Sequence, residues 1–527
     1  MTIQVDFAVA GAGHNSLIAA AYLAAAGLKV IVLERNPWIG GGVMTREVTL
    51  PGFRHDLHST SHNFLQSNPL IKDDELGLQA KYGLQYIRPE VSVASVFDDG
   101  SSLPIRHDLD KTCEAMARFS ERDAEMYRGF VNQFRELLPM FVSGLFAPPA
   151  PYGMFMGLLE QSRQGRGLIG MMNKSAYDII SEVFTDDRLK INFMKFSSEA
   201  MAGPEEKGTG LIFGMMAGFV HSYHSGFPVG GSGALSDSLA AFIEAHGGEI
   251  RTGSHVAKVL VEGGRAAGVR LESGEEIRCQ RGVIGCFHPH LLGNYVDGID
   301  PDILDDARKT QPGPYSNIVV HYALEKPFTY SALEPGMTPM IVECLPTDLQ
   351  KFRREYDDLR YGSMPENLSV IACQHTNLDP TRAPKGKATL YQLSFAPYDL
   401  ADGGASRWDE VRESVADRMM EAYRPFVSSM DSSNILARYI ATPLDHERFS
   451  LSFQKGDISG IGRYVYQFLG RRPTPELSQY SVPAVDGLYL CGPFMHPGGG
   501  VIGGGRGVAM KIMNDLDIDF DRVLGRL

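Results

Sequence analysis

Val5-Asp-Phe-Ala-Val-Ala10-Gly11-Ala-Gly13-His14-Asn15-Ser16 decides the fold. The run up to Ala10 is apolar apart from Asp6 and reads as a buried strand; His14 to Ala26, rich in alanine and stopped by Gly27, reads as a helix. Gly11 and Gly13 give the tight turn between them. They also let a pyrophosphate approach the helix N-terminus, where unpaired N–H groups and the helix dipole favour an anion. A second strand, Lys29 to Leu33, ends on Glu34, about 20 residues past the glycines, where a carboxylate accepts hydrogen bonds from ribose hydroxyls. With these parts in register the stretch is a dinucleotide site, and Glu34 argues against a cofactor carrying a 2′-phosphate. Ser16 replaces the third glycine of the fingerprint, a minor loss because serine is small.

The residues that follow choose the dinucleotide. Arg35-Asn-Pro-Trp-Ile-Gly40-Gly41-Gly42 places a glycine cluster where the chain must again run close to something. In flavoproteins built on such a unit, these glycines bracket the phosphates of FAD. The expected cofactor is FAD.

A chain of 527 residues exceeds one simple core, and two domains are expected. The formal charge of −13, with no Lys/Arg-rich run, excludes a nucleic-acid partner. Six scattered cysteines contain no Cys-x-x-Cys, which excludes a redox dithiol and a zinc site built on it. The first strand begins too early for a signal peptide, so the expected location is cytoplasmic. Leu137 to Leu159 carries no charge for 23 residues, but Pro139, Pro148, Pro149 and Pro151 argue against a membrane span.

Along the chain, His55, His58 and His62 crowd a short segment whose spacing is not that of helix-borne metal ligands; they read as flavin-pocket residues or as a surface loop, and no metal is expected. Val91 to Phe97, Asp98-Asp99-Gly100 and Ser101 to Ile105 form a hairpin signal. The region from Leu109 to Asp187 is largely helical, and methionines recur from Met154 to Met216. These read as core packing, or as a lipophilic channel or a surface resting on a membrane. A three-stranded meander follows at Val256–Val261, Arg265–Leu271 and Glu275–Cys279, after which a separate strand, Gly282–Cys286, returns to the nucleotide sheet. Tyr315, His321, Arg382 and Tyr398 are pocket candidates that read more readily as core polar residues. Near the C-terminus, Gly487-Leu-Tyr-Leu-Cys-Gly492 and His496-Pro-Gly-Gly-Gly500-Val501 lead into a last helix, again offering backbone N–H groups to a ligand.

The two ends together resemble the phytoene desaturase and carotenoid isomerase family of FAD-dependent oxidoreductases. The resemblance is carried by Gly11-Ala-Gly-His-Asn15, Leu33-Glu34 with Gly40-Gly41, Pro51-Gly52-Phe53, Asp379-Pro380, Phe395-Ala-Pro397-Tyr398, Thr442-Pro-Leu-Asp445, Leu488-Tyr-Leu-Cys-Gly492 and His496-Pro-Gly-Gly-Gly500-Val501. It implies an α/β fold: a Rossmann-type FAD-binding domain of the glutathione-reductase and amine-oxidase type, formed by residues 1–90, 225–295 and 476–527, with an inserted α+β substrate domain at 91–224 and 296–475. The cofactor contacts it implies, taken with the glycine motifs, are Gly11, Gly13, His14, Asn15, Glu34, Arg35, Gly40, Gly41, Gly42, Val256, Gly492, Gly500 and Val501. One departure, Gly504-Gly505-Arg506-Gly507 before the last helix, places an arginine near the expected flavin end.

The expected reaction is removal of hydrogen from, or its addition to, a C–H bond of a lipophilic, isoprenoid or aromatic small molecule. His58, His62 and His496 are the candidate proton acceptors, because they lie beside the cofactor motifs in sequence and imidazole titrates near neutrality. With no second dinucleotide fingerprint, O2 or a quinone is the expected electron acceptor, and peripheral membrane contact is compatible with the substrate class. The alternatives are a redox-neutral isomerase, a saturase using reduced FAD, or a non-catalytic lipid- or protein-binding relative of the same fold.

Overall fold

Strand β1, Ile3–Ala10, runs between two parallel neighbours: β2, Val30–Leu33, on one side and the Glu276–Gly285 strand on the other. Phe7 to Ala10 and the whole of β2 are buried, as apolar parallel strands covered on both faces must be. Between β1 and β2 lies helix α1, His14–Ala25, which packs against the Gly233–Ala245 and Gly505–Asp515 helices. Alanines supply much of its buried surface, and the contact is closest at Gly505, where a Cβ would stand 1.9 Å from the Asn15 carbonyl oxygen. The glycine-rich turn before the last helix thus serves helix packing. The computed structural model describes residues 3–527.

The first sheet has the order Val256–Glu262, Arg265–Leu271, Glu276–Gly285, β1, β2, Glu249–Arg251, and Leu488–Leu490 pairs with Glu276–Gly285. The meander is present, but its last strand does not end at Cys279. One continuous strand, Glu276–Gly285, pairs antiparallel with Arg265–Leu271 and parallel with β1, and a register shift opposite Val5–Phe7 absorbs the change. A bulge replaces the expected break.

The second sheet also has seven strands, in the order Ile435–Ala441, Ser316–Leu324, Ala388–Ala396, Val370–Cys373, Ile341–Leu345, Val91–Phe97, Ser102–Arg106. The Val91–Phe97/Ser102–Arg106 hairpin forms its edge. One face packs on the Trp408–Tyr423 helix, and the other on a helical layer that includes Asp187–Ser198 and Gly210–Ser222. Because side chains alternate along each strand, one row across that second face reads Ser95, Glu343, Ile371, Leu393, Val319. Among the described residues no helix is long and apolar enough to cross a membrane; the uncharged stretch divides between the Glu121–Leu145 and Tyr152–Glu160 helices.

Candidate active site

A cleft of about 1670 Å³, part of it open to solvent, runs from the carboxyl ends of β1 and β2 to the helix-covered face of the second sheet. Its first end is made of backbone. Gly11 has φ +98°, and a Cβ there would meet the Cys286 Cβ at 3.0 Å. Gly13 caps α1 without a side-chain hydrogen bond, and nothing lies within 4 Å of where its Cβ would stand. A Cβ on Gly41 would be 3.1 Å from the Gly13 Cα, so the two glycine elements touch backbone to backbone. Glu34 is held by two amides: Ala12 N–H donates to one oxygen at 2.8 Å and Asn36 N–H to the other at 2.9 Å.

Of the thirteen residues expected to contact cofactor, twelve line this cleft: Gly11, Gly13, His14, Asn15, Glu34, Arg35, Gly41, Gly42, Val256, Gly492, Gly500 and Val501. Gly40 does not. Its N–H donates to Ala12 O at 2.8 Å, its carbonyl accepts from His14 N–H at 3.3 Å, and a Cβ would collide with Val43 O at 2.2 Å. Gly40 shapes the turn that Gly41 presents. The Arg35 guanidinium is spent on the carbonyls of Arg448 and Phe449, at 3.1 and 2.9 Å.

The three candidate histidines part company. His58 lines the cleft with both ring nitrogens unpartnered, wedged among His446, Phe449 and Phe453, and burial holds its pKa well below the usual imidazole value. His62 stands outside the lining. Its Nδ1 meets Tyr86 OH at 2.8 Å and its Nε2 meets Ser232 Oγ at 2.7 Å, and burial lowers its pKa to about 3. His496 is also outside it, with Nε2 on the Gly144 carbonyl at 2.9 Å and a pKa lowered by burial to about 4. Nearness to a motif along the chain did not become nearness to the cleft, because both rings turn into the surrounding frame.

Other polar expectations resolve in the same way. Arg506 does not reach the cleft; its guanidinium grips Glu75 with two bonds of 2.7 and 2.8 Å. Tyr315, His321, Arg382 and Tyr398 do not line it either, and Arg382 forms a fully buried ion pair with Asp56 and Asp379.

The far end of the cleft consists of side chains that sequence reasoning did not single out. Ile341, Ile371, Tyr391, Leu393 and Phe395 come from three strands of the second sheet, joined by Met201, Ile458 and one acid, Glu199. One signal was present: Glu343 interrupts the apolar run Ile341-Val-Glu-Cys-Leu345, and a carboxyl inside a buried strand needs a partner.

The first end fits FAD. Gly13 leaves open space at an uncapped helix N-terminus, which suits a pyrophosphate. Buried His14 Nε2, Asn15 Oδ1 and Ser16 Oγ have no hydrogen-bond partner, an arrangement that costs free energy unless a polar ligand meets them. Burial keeps His14 neutral near pH 7, with its pKa lowered to about 4, so it can meet a ligand as either donor or acceptor.

Comparison with known proteins gives the same result. Over 97% of its length the chain is 30% identical to pyridine nucleotide-disulfide oxidoreductase domain-containing protein 2 of Rattus norvegicus, 94% of which is covered. Over 98% it is 26% identical to a limonene dehydrogenase polypeptide of Castellaniella defragrans, 96% of which is covered. Phytoene desaturases and prolycopene isomerases stand further off, at 24% identity for those of Pseudescherichia vulneris and an Oncidium hybrid. Among solved structures, cyclohexylamine oxidase of Brevibacterium oxydans superimposes with a TM-score of 0.61 at 16% identity, covering 97% of this chain and 99% of that one, which shows the fold. Residues 17–505 match the family described as flavin containing amine oxidoreductase. The chain belongs to that family: it is an FAD-dependent oxidoreductase with a Rossmann-type cofactor fold.

Proposed function

We propose that this flavoprotein is a dehydrogenase that removes hydrogen from C–H bonds of a largely apolar substrate, with isoprenoid hydrocarbons as the leading class. The observation that carries the reading is the wall of the far end. Ile341, Ile371, Leu393 and Phe395, with Met201 and Ile458, offer a substrate contact area and few hydrogen bonds. Such a surface binds by burial of apolar area and keeps water from the reacting carbons. The names limonene dehydrogenase and phytoene desaturase support the same class.

FAD, when bound, supplies a two-electron acceptor. The chain's own residues do the rest. Gly11, Gly13, Gly41 and Gly500 bring backbone up to the cofactor, and Glu34 holds two amides in place for the ribose end. His58 is kept neutral and sits where the two ends meet, so it packs as an apolar ring against Phe449 and Phe453 rather than carrying charge into the cleft. O2 or a quinone is proposed to take the electrons afterwards.

The test is the visible spectrum of the purified protein, followed by anaerobic incubation with limonene, acyclic terpenes, carotenoid precursors and aromatic hydrocarbons. Bleaching of the flavin bands by one compound is expected. Flavin bands that no compound bleaches would move the reading to redox-neutral isomerisation or to a saturase using reduced FAD.

A further inference from the structure

The far end of the cleft holds a buried ionic cluster. Glu199 closes the Asp187–Ser198 helix and faces the cleft beside Met201, Leu393 and Phe395. Its Oε1 is shielded from solvent and has no donor. In hydrogen-bond contact with it is the carboxyl of Glu343, fully buried in the middle of the second sheet. Ser95 Oγ, directly across in the strand register, donates to Glu343 Oε2 at 2.9 Å, and Glu343 Oε1 has no protein N–H or O–H donor. One helical turn before Glu199, Lys195 is 1% exposed, with its ammonium 3.7 Å above the centre of the Phe395 ring. Glu355 completes the group, its carboxylate accepting from Ser369 Oγ at 2.9 Å.

Two carboxyls in contact within an apolar wall cannot both be ionised; one must keep a proton and donate it to the other. Glu343, with no path to water, is the member that keeps it: burial and the negative charge of Glu199 both drive its pKa well above the carboxylate range. Glu199 is the acceptor, pushed up by burial but drawn back by the Glu343 hydrogen bond and the Lys195 charge.

We propose that Glu199 takes the proton released when the substrate loses hydrogen, and that Glu343 is the positioning residue that keeps Glu199 ionised by donating a hydrogen bond to it. The proposal rests on the dehydrogenase reading. In the step, one substrate C–H bond breaks with its electron pair, as hydride, to FAD. The adjacent C–H bond breaks heterolytically, its proton passing to a Glu199 oxygen while its electrons become the new C=C bond. The substrate is oxidised by two electrons and FAD is reduced by two. Glu199 returns its proton to solvent through the open part of the cleft.

The other titratable groups facing Glu199 do not compete for that proton: burial holds Tyr315 and Tyr391 well above their usual pKa and pushes the Cys373 thiol up to about 12. Glu355, raised by burial to about 7, titrates separately.

Two readouts test this on the holoenzyme. Infrared spectroscopy without substrate should show a protonated carboxyl that persists above pH 8. Glu343→Gln should remove that band, Glu199→Gln should shift it by changing its partner, and Glu355→Gln should remove only the component that disappears as pH rises through about 7. A missing persistent band, or one that survives Glu343→Gln, overturns the proposal without any knowledge of substrate. The second readout is the rate of anaerobic flavin bleaching by the compound that reduces the wild type. Glu199→Gln should slow it roughly 10²- to 10⁴-fold with FAD content unchanged, and Glu199→Asp should restore part of the rate. Bleaching of Glu199→Gln at the wild-type rate overturns the role of Glu199. If the carboxyl band is present but nothing bleaches the wild type, it is the dehydrogenase reading that fails, and the proton transfer assigned to Glu199 fails with it.

Discussion

The two ends of the cleft are built from different materials. At the cofactor end the contacts are backbone: Gly11 and Gly41 at positive φ, the uncapped start of α1, and an acid clamped by two amides. At the far end they are side chains drawn from the Asp187–Ser198 helix and three strands of the second sheet, on segments separated by long stretches of sequence. A site made of backbone tolerates few residues at each position, because any Cβ intrudes. A site made of side chains can change its occupant by exchanging one apolar group for another of similar size. The comparison teaches that cofactor identity is fixed where substitution is forbidden, and substrate identity where it is allowed.

Acid gives the largest effect that separates the two ends. His14, His62 and His496 belong to the cofactor end and its frame, and their pKa values are lowered by burial to between about 3 and 4. The unfolded chain binds protons on these rings first, near pH 6.5, so the stability they contribute is present above about pH 6.5 and is lost as pH falls towards 4. Glu355 at the far end has the opposite sign. Its pKa is raised to about 7, so its contribution is complete below the ordinary carboxylate value and is lost as pH rises through 7. Thermal melts against pH should show a steep acid limb amounting to several kcal/mol, since each ring loses roughly 1.4 kcal/mol for every pH unit separating its ordinary pKa from its lowered one. Glu355→Gln should flatten only the neutral-to-alkaline decline. An unchanged Tm from pH 7 down to pH 4 would remove the distinction.

Gly40→Ala comes next. The added Cβ would lie 2.2 Å from the Val43 carbonyl oxygen at φ +106°, so a loss of about 3 kcal/mol and failure to retain FAD are expected in a denaturant titration. Gly13→Val sharpens the point. Gly13 has an ordinary extended conformation and empty space around it, so apoprotein stability should hold within about 0.5 kcal/mol. FAD affinity should fall at least tenfold, about 1.4 kcal/mol, by fluorescence titration. Smallest is Leu393→Ala at the half-buried substrate wall. A stability cost of about 1 kcal/mol and full FAD content are expected, with the change confined to the KM of the compound that bleaches the flavin. Loss of FAD in this variant would show that the ends are not separable.

The same difference in materials explains what could be read before the structure. The β1–α1–β2 unit, the glycine turns and Glu34 were legible because each requires particular residues at a fixed local spacing. The Val91–Phe97 hairpin was legible from its Asp-Gly turn. The far end left almost no local trace: Ile371 and Leu393 become neighbours only through strand pairing, and Lys195 and Glu199 look like an ordinary charged pair on a helix until the helix is seen to be buried. His62 and His496 misled because chain proximity does not say which way a ring turns. The strand Glu276–Gly285 was read as two because its residues change partners halfway, and nothing in its composition marks the change.

Gly11 and Gly500 line one cleft yet stand near opposite ends of the sequence. During synthesis, at about 5–20 residues per second, the first motif emerges early and waits for almost the whole polypeptide before its counterpart leaves the ribosome. Loading with FAD is therefore a late event in the life of each molecule. A cell short of riboflavin would accumulate finished chains with an empty cleft, and their survival against proteolysis would depend on how quickly the vitamin arrives.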